Sequence, residues 1–167
     1  RHLAKKFDVE LVTFTDRQEP FQGEIAPGLW ETRIPMSAQH RQAEADIRSK
    51  SGVLQITDVV MPQLYHLTPA YVEALRKATT NSNFIVASHP FLLPVIQEVT
   101  TKPVWYEAQD VEAEIKKGIL PQDGMGEELL KATYEVEQDC CQFSKLIMVC
   151  ANRDAEKFQE LYGIDVS

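Results

Sequence analysis

Asn83-Phe84-Ile85-Val86-Ala87-Ser88-His89-Pro90-Phe91, followed by Lys102-Pro103-Val104-Trp105-Tyr106-Glu107-Ala108-Gln109-Asp110-Val111-Glu112, decides the fold. Two short apolar runs each stop abruptly at polar residues. The first, Phe84 to Ala87, ends at Ser88-His89-Pro90. The second, Val104 to Tyr106, ends at Glu107, Gln109, Asp110 and Glu112. Between them, Leu92 to Val99 is a compact apolar segment suited to a short helix. A strand, a crossover and a second strand favour a parallel sheet. Ligands of open parallel sheets sit beyond the carboxyl ends of the strands. His89 and the Glu107–Glu112 cluster are therefore expected there.

Working outward, Val9 to Thr15 alternates in β-branched fashion and reads as a strand. Asp16 to Gly28, with Pro20, Gly23 and Pro27, reads as a loop. Leu29 to Ile34 reads as a strand near a sheet edge. Ser37 to Lys50 is a helix with one narrow apolar stripe, broken at Ser51-Gly52. Val53 to Met61 fits a strand or a helix. Thr68-Pro69 predicts a threonine-capped helix start, and Ala70, Tyr71, Ala74, Leu75 and Ala78 follow at helical spacing.

Beyond Glu112, residues 116–126 read as a mobile connector, with Lys116 and Lys117 at the surface. Glu127 to Phe143 is the longest helix, with Leu130, Tyr134, Glu137 and Cys141 on one side. Lys145 to Cys150 reads as a buried parallel strand. Asn152 caps a last helix that stops at Gly163. About five strands alternating with helices make a single α/β domain over residues 1–167, doubly wound around a mostly parallel sheet.

The 167 residues suffice for one domain with a sizeable core. A net charge of −8 argues against a nucleic-acid or anionic-membrane surface, since both need basic patches. No apolar run approaches the roughly 20 residues needed to span a bilayer, and no signal peptide is visible. These features predict a cytoplasmic chain. The three cysteines, Cys140, Cys141 and Cys150, make a poor disulfide framework and read as buried thiols. The chain opens at Arg1 in what reads as the end of a helix. It closes at Ser167 just past Gly163, so both ends read as cut from something longer.

Among candidate groups, His89 is either a loop histidine beside the next helix or a polar group that bonds a hydroxyl or phosphate. Glu107, Asp110 and Glu112 are either a solvated acidic loop or paired carboxylates for acid–base work. Glu107, directly behind an apolar strand, is the more constrained of them, and the solvated reading weighs more on Glu112. Asn152 is explained as a helix cap, although a helix amino terminus at the crevice would suit an anionic group. His2, His40 and His66 lack metal-ligand spacing, and no Walker loop, GxGxxG or GxSxG occurs.

The ordered motifs do carry a resemblance. Ser88-His89-Pro90-Phe91-Leu92, the run Lys102 to Glu112, Glu137-Gln138-Asp139-Cys140, Ser144 to Cys150, Asp154 and Tyr162-Gly163-Ile164 together resemble the amino-terminal half of a family-4-type glycosyltransferase with the GT-B fold. The likeness covers most of the chain. It implies a Rossmann-like domain that binds a sugar acceptor and faces a carboxy-terminal domain that binds a nucleotide-sugar donor. It also implies retention of anomeric configuration and no metal or other cofactor. By the same resemblance His89 is the catalytic-site histidine, close to the transferred sugar. Ser88, Glu107, Gln109, Asp110, Glu112 and Asn152 then become acceptor or substrate contacts. The whole enzyme would be cytoplasmic or peripheral at a membrane.

Three departures accompany it. Gln109 stands where the family often has histidine. The family's first strand and glycine-rich turn have no counterpart before Arg1, and its donor domain has none after Ser167. Without a donor domain the leaving diphosphate lacks a stabiliser, so this piece alone is expected to be inactive. The absent strand would leave two inner edges open, beside Val9–Thr15 and Phe84–Ala87. The segment Val53 to Val60, a second chain (as in a homo-oligomer) or an omitted segment could fill that gap, with the last two favoured. The reading from another class is a non-catalytic α/β binding or interaction module.

Overall fold

The computed structural model describes residues 3–15, 17–53 and 55–166. His2, and Leu54 within the ambiguous stretch Val53 to Met61, lie outside them. The architecture is α/β and Rossmann-like, built on two three-stranded sheets.

In the first sheet, β1 (Val9–Thr15) pairs in parallel with β3 (Leu29–Pro35), from Val9 opposite Leu29 to Thr15 opposite Pro35. The segment expected to be a loop contains β2 (Phe21–Ala26), which pairs antiparallel with β3. Its prolines and polar residues hid it, because an outer strand needs an apolar partner on one side only. The turn into β3 places Gly28 at φ 71°, and a Cβ there would lie 3.0 Å from the Ala4 carbonyl oxygen. That conformation favours glycine. The sheet order β1-β3-β2 therefore puts β3 in the centre, not at the expected edge.

Helix α1 (Ala38–Ser51) starts at Ser37, whose hydroxyl accepts from the His40 backbone N–H at 3.0 Å. It stops at Gly52, φ 69°, whose N–H bonds Arg48 O. The ambiguous stretch becomes α2 (Thr57–Leu64), with Val59, Val60, Met61 and Leu64 buried despite Pro62 inside the helix. Helix α3 (Pro69–Asn81) begins where expected, but the Thr68 hydroxyl does not cap it. That oxygen accepts from the Ser37 N–H at 3.2 Å and pairs with His40 Nδ1 at 3.0 Å. At the far end of α3, Lys102 Nζ donates to the carbonyls of Thr79, Thr80 and Ser82, which satisfies acceptors the helix leaves open.

The second sheet is all parallel, in the order β4 (Ile85–Ala87), β5 (Val104–Ala108), β6 (Leu146–Val149). Between β4 and β5 run a short 3₁₀ turn, Pro90–Leu92, and α4 (Leu93–Val99). After β5 come α5 (Glu112–Ile119) and α6 (Gly124–Phe143), and α7 (Asn152–Tyr162) follows β6. The predicted connector at 116–126 is thus largely the end of α5 and the start of α6. Strand β6 is only partly covered, not buried as its sequence suggested, because it has a partner on one side. Gly126 has a clear reason to be glycine: a Cβ there would sit 1.9 Å from the Pro121 carbonyl oxygen.

The main core gathers Ile56, Val60, Tyr71, Phe91, Val95 and Leu129, with Phe14 of β1 stacked on Tyr71 at 4.0 Å between centroids. A second cluster holds Leu93, Tyr106, Ala108, Cys140, Cys141 and Phe158. Burial pushes both of these thiols up, Cys140 to about 12. Cys150, expected inside, is exposed. Strands β1 and β4 each end their own sheet, and the described residues of Val53–Val60 supply no strand between them. Among the described residues no helix is long and apolar enough to cross a membrane.

Candidate functional site

His89 lies two residues beyond β4, in extended backbone at the start of the Pro90–Leu92 turn. Glu112 opens α5, four residues beyond β5. Since β4 and β5 are adjacent and parallel, both residues leave the sheet at the same end. There His89 Nδ1 lies 3.0 Å from Glu112 Oε1. The imidazole side chain is 45% exposed and the carboxylate 8%.

Two residues that the sequence reading left aside complete the cluster. Lys116, one turn further along α5, places Nζ 3.4 Å from Glu112 Oε2 and donates to Asp58 Oδ2 at 2.5 Å. Its ammonium also lies 5.7 Å from the Phe91 ring centre, within cation–π range. Lys116 is buried, contrary to its expected surface position. The i, i+4 spacing of Glu112 and Lys116 was the available signal. Asp58 of α2 had none.

Glu112 is held from behind. Glu137, fully buried on α6, accepts from the Glu112 N–H at 2.8 Å and the Ala113 N–H at 3.0 Å. It also accepts from the hydroxyls of Tyr162 at 2.6 Å and Tyr106 at 3.3 Å. It thereby satisfies two of the orphan donors at the start of α5. A carboxylate on the apolar side of the α6 pattern was the sequence signal for this residue.

The charges follow from these contacts. The hydrogen bond to the Glu112 carboxylate raises the His89 pKa, and burial only partly opposes it. Burial pushes Glu112 upward, but the His89 bond and Lys116 outweigh it and hold the carboxyl below its ordinary range. Burial lowers Lys116, and the two carboxylates of Asp58 and Glu112 together more than restore it. Burial raises Glu137 in spite of its four donors. Glu112 is thus ionised and can only accept, so Nδ1 carries a proton. Nε2 is then the nitrogen left for a ligand: an acceptor when the ring is neutral, a donor when it is protonated.

The other predicted residues do not join this cluster. Glu107 lies inside β5 on the face opposite Tyr106 and is exposed, so the weighting of Glu107 over Glu112 reverses. Gln109 and Asp110 are exposed in the turn between β5 and α5. Ser88 lines a groove between β1 and β4. Asn152 is exposed in the first turn of α7; the cap position belongs to Ala151, which has no side chain to bond with. No protein-family model matches the chain, and no curated protein matches it.

Proposed function

We propose that this chain is the acceptor-side domain of a retaining glycosyltransferase that uses a nucleotide-sugar donor. The observation that carries the reading is the His89–Glu112 pair at the carboxyl ends of adjacent parallel strands. The ordered motifs from Ser88 to Ile164 support the same reading.

In this proposal His89 Nε2 hydrogen-bonds a hydroxyl of the transferred sugar. Glu112 fixes the ring's orientation and tautomer, with Lys116 and Glu137 fixing Glu112 in turn. Ser88, Glu107, Gln109, Asp110 and Asn152 contact the acceptor. The donor is held mainly by a further domain, no metal takes part, and the isolated chain is inactive. The enzyme works in the cytoplasm or peripherally at a membrane.

The test is sugar transfer by a longer protein that contains this chain. His89→Ala should lower kcat by about 100-fold or more, in the range of positioned acid–base groups. A parent protein that transfers no sugar from any nucleotide sugar, or a His89→Ala variant with full turnover, would end the reading.

A further inference from the structure

His89, Glu112, Lys116 and Asp58 form one row, each in contact with the next. The row starts at the end of β4, crosses the first turn of α5, and finishes in the first turn of α2.

The Lys116 ammonium decides how the row works. It is buried, it lies against the Phe91 ring, and its two carboxylates hold it unequally. Asp58 Oδ2 is 2.5 Å away, and Glu112 Oε2 is 3.4 Å away, beyond the usual hydrogen-bond distance. Glu112 therefore keeps most of its charge for the ring, on Oε1, 3.0 Å from His89 Nδ1. A buried ammonium has to stay paired, because a lone charge in the interior is strongly destabilising. Without Asp58, Glu112 alone remains of the two carboxylates that hold it. The i, i+4 spacing on α5 lets the ammonium close on Glu112. A carboxylate that serves a close ammonium is a weaker acceptor for an imidazolium.

Asp58 is itself fixed. Its Oδ1 accepts from the Val59 N–H at 2.9 Å, in the first turn of α2. The neighbouring Thr57 hydroxyl donates to Glu44 of α1 at 2.7 Å, and Val59, Val60 and Met61 are buried behind it. The aspartate is thus held by α2 and the core, not by the helix that carries Glu112 and Lys116.

We propose that Asp58 is a positioning residue of this site: by holding the Lys116 ammonium off Glu112, it leaves that carboxylate free to bind the His89 ring and keep its proton. The charged groups that act on the ring are Glu112 and Lys116 from α5 and Asp58 from α2, while Glu137 of α6 meets the Glu112 backbone rather than the ring. The hold on the ring's proton stands on these contacts alone. An effect on turnover rests on the sugar-transfer reading above.

The test is an NMR titration of His89 in the full chain. Asp58→Asn keeps the shape and removes the charge, at a side chain that is 38% exposed and tolerates the change. The ring's proton affinity should fall by about threefold, the scale of a single charge pair. Lys116→Met, which removes the opposing charge, should raise it. Asp58→Glu, which returns a carboxylate, should restore most of it. A structural defect alone would move the first two variants the same way. The fall in Asp58→Asn should persist in about 1 M salt, where screening acts beyond about 3 Å, because direct contacts carry it. In a longer protein that transfers sugar, the pH midpoint of kcat should shift in the same direction as the NMR midpoint. If Lys116→Met does not fold, the two Asp58 variants still decide. An unmoved His89 midpoint in Asp58→Asn, a shift lost in high salt, or a fall in Lys116→Met would overturn the proposal. A parent protein that transfers no sugar would end the functional reading alone, since the titration needs no turnover.

Discussion

His40 sits where α1 meets the turn before α3, and His89 sits beyond the end of β4. Each has a glutamate near by. His40 is buried, pairs through Nδ1 with the neutral Thr68 hydroxyl at 3.0 Å, and has no partner for Nε2 among the described residues. The carboxylate that acts on it, Glu44, is occupied by Arg48 and by the Thr57 hydroxyl at 2.7 Å. Burial therefore dominates, and the His40 pKa is lowered. His89 bonds a carboxylate directly and keeps one side in solvent, so its pKa is raised. The lesson is that a nearby acid counts for little until it is free to accept from the ring. The two histidines differ in that respect here, more than in sequence neighbourhood.

The contrast can be broken most severely from behind Glu112. Glu137→Ala strips two buried helix N–H groups and two tyrosine hydroxyls of their acceptor. Unfolding by denaturant should show a loss of about 3 kcal/mol or more, by the cost of unsatisfied buried polar groups. If the chain still folds, the His89 pKa should fall toward its ordinary value, because Glu112 is no longer held.

Next in size, Thr68→Val removes the hydrogen-bond partner of the His40 ring, and should cost about 2 kcal/mol at neutral pH. The sign of the pH dependence is set by the lowered pKa. The unfolded chain binds the proton more readily, so the stability from neutral His40 is present above its ordinary value of 6.5 and is lost as pH falls below it. His89 runs the other way. Its contribution is present below 6.5 and fades as pH rises through its raised pKa. Melting curves of His40→Leu and wild type should diverge most near neutral pH and converge in acid.

Glu112→Gln should cost about 1 kcal/mol, typical of one hydrogen bond. An NMR titration should show His89 returning toward 6.5 while His40 stays put. A His89 value unmoved by this change would remove the basis of the comparison. Smallest of all, His89→Gln should alter stability by about 0.5 kcal/mol or less in a thermal melt, as expected for a half-exposed side chain.

The strand–crossover–strand unit from Ile85 to Ala108 was legible because it is coded locally, in apolar runs closed by proline and polar residues. So were β1, α1 and α3. Strand β2 was not, since an outer strand with one covered side leaves little pattern in Phe21–Ala26. Pro62 masked α2 by breaking the usual helical signal. At the site, His89 and Glu112 were named from their position at strand ends, but Glu107 was favoured wrongly: it follows Tyr106 in the same strand and so points away from the core. Asp58 escaped notice because its partner Lys116 lies on another helix. Glu137 was named for its place on α6, but its donors on α5, β5 and α7 were not legible, since no local period encodes such pairs.

The three thiols carry a practical consequence. Cys140 and Cys141 are packed under α7 and stay protonated at neutral pH, while Cys150 stands in solvent just past β6. Thiolates, not thiols, react with maleimides. A dye added to the native chain should therefore attach at Cys150 alone. It would mark the same end of the second sheet as His89, with no cysteine engineered in or out, and uptake of two or three dyes would signal that the α6–α7 packing had opened.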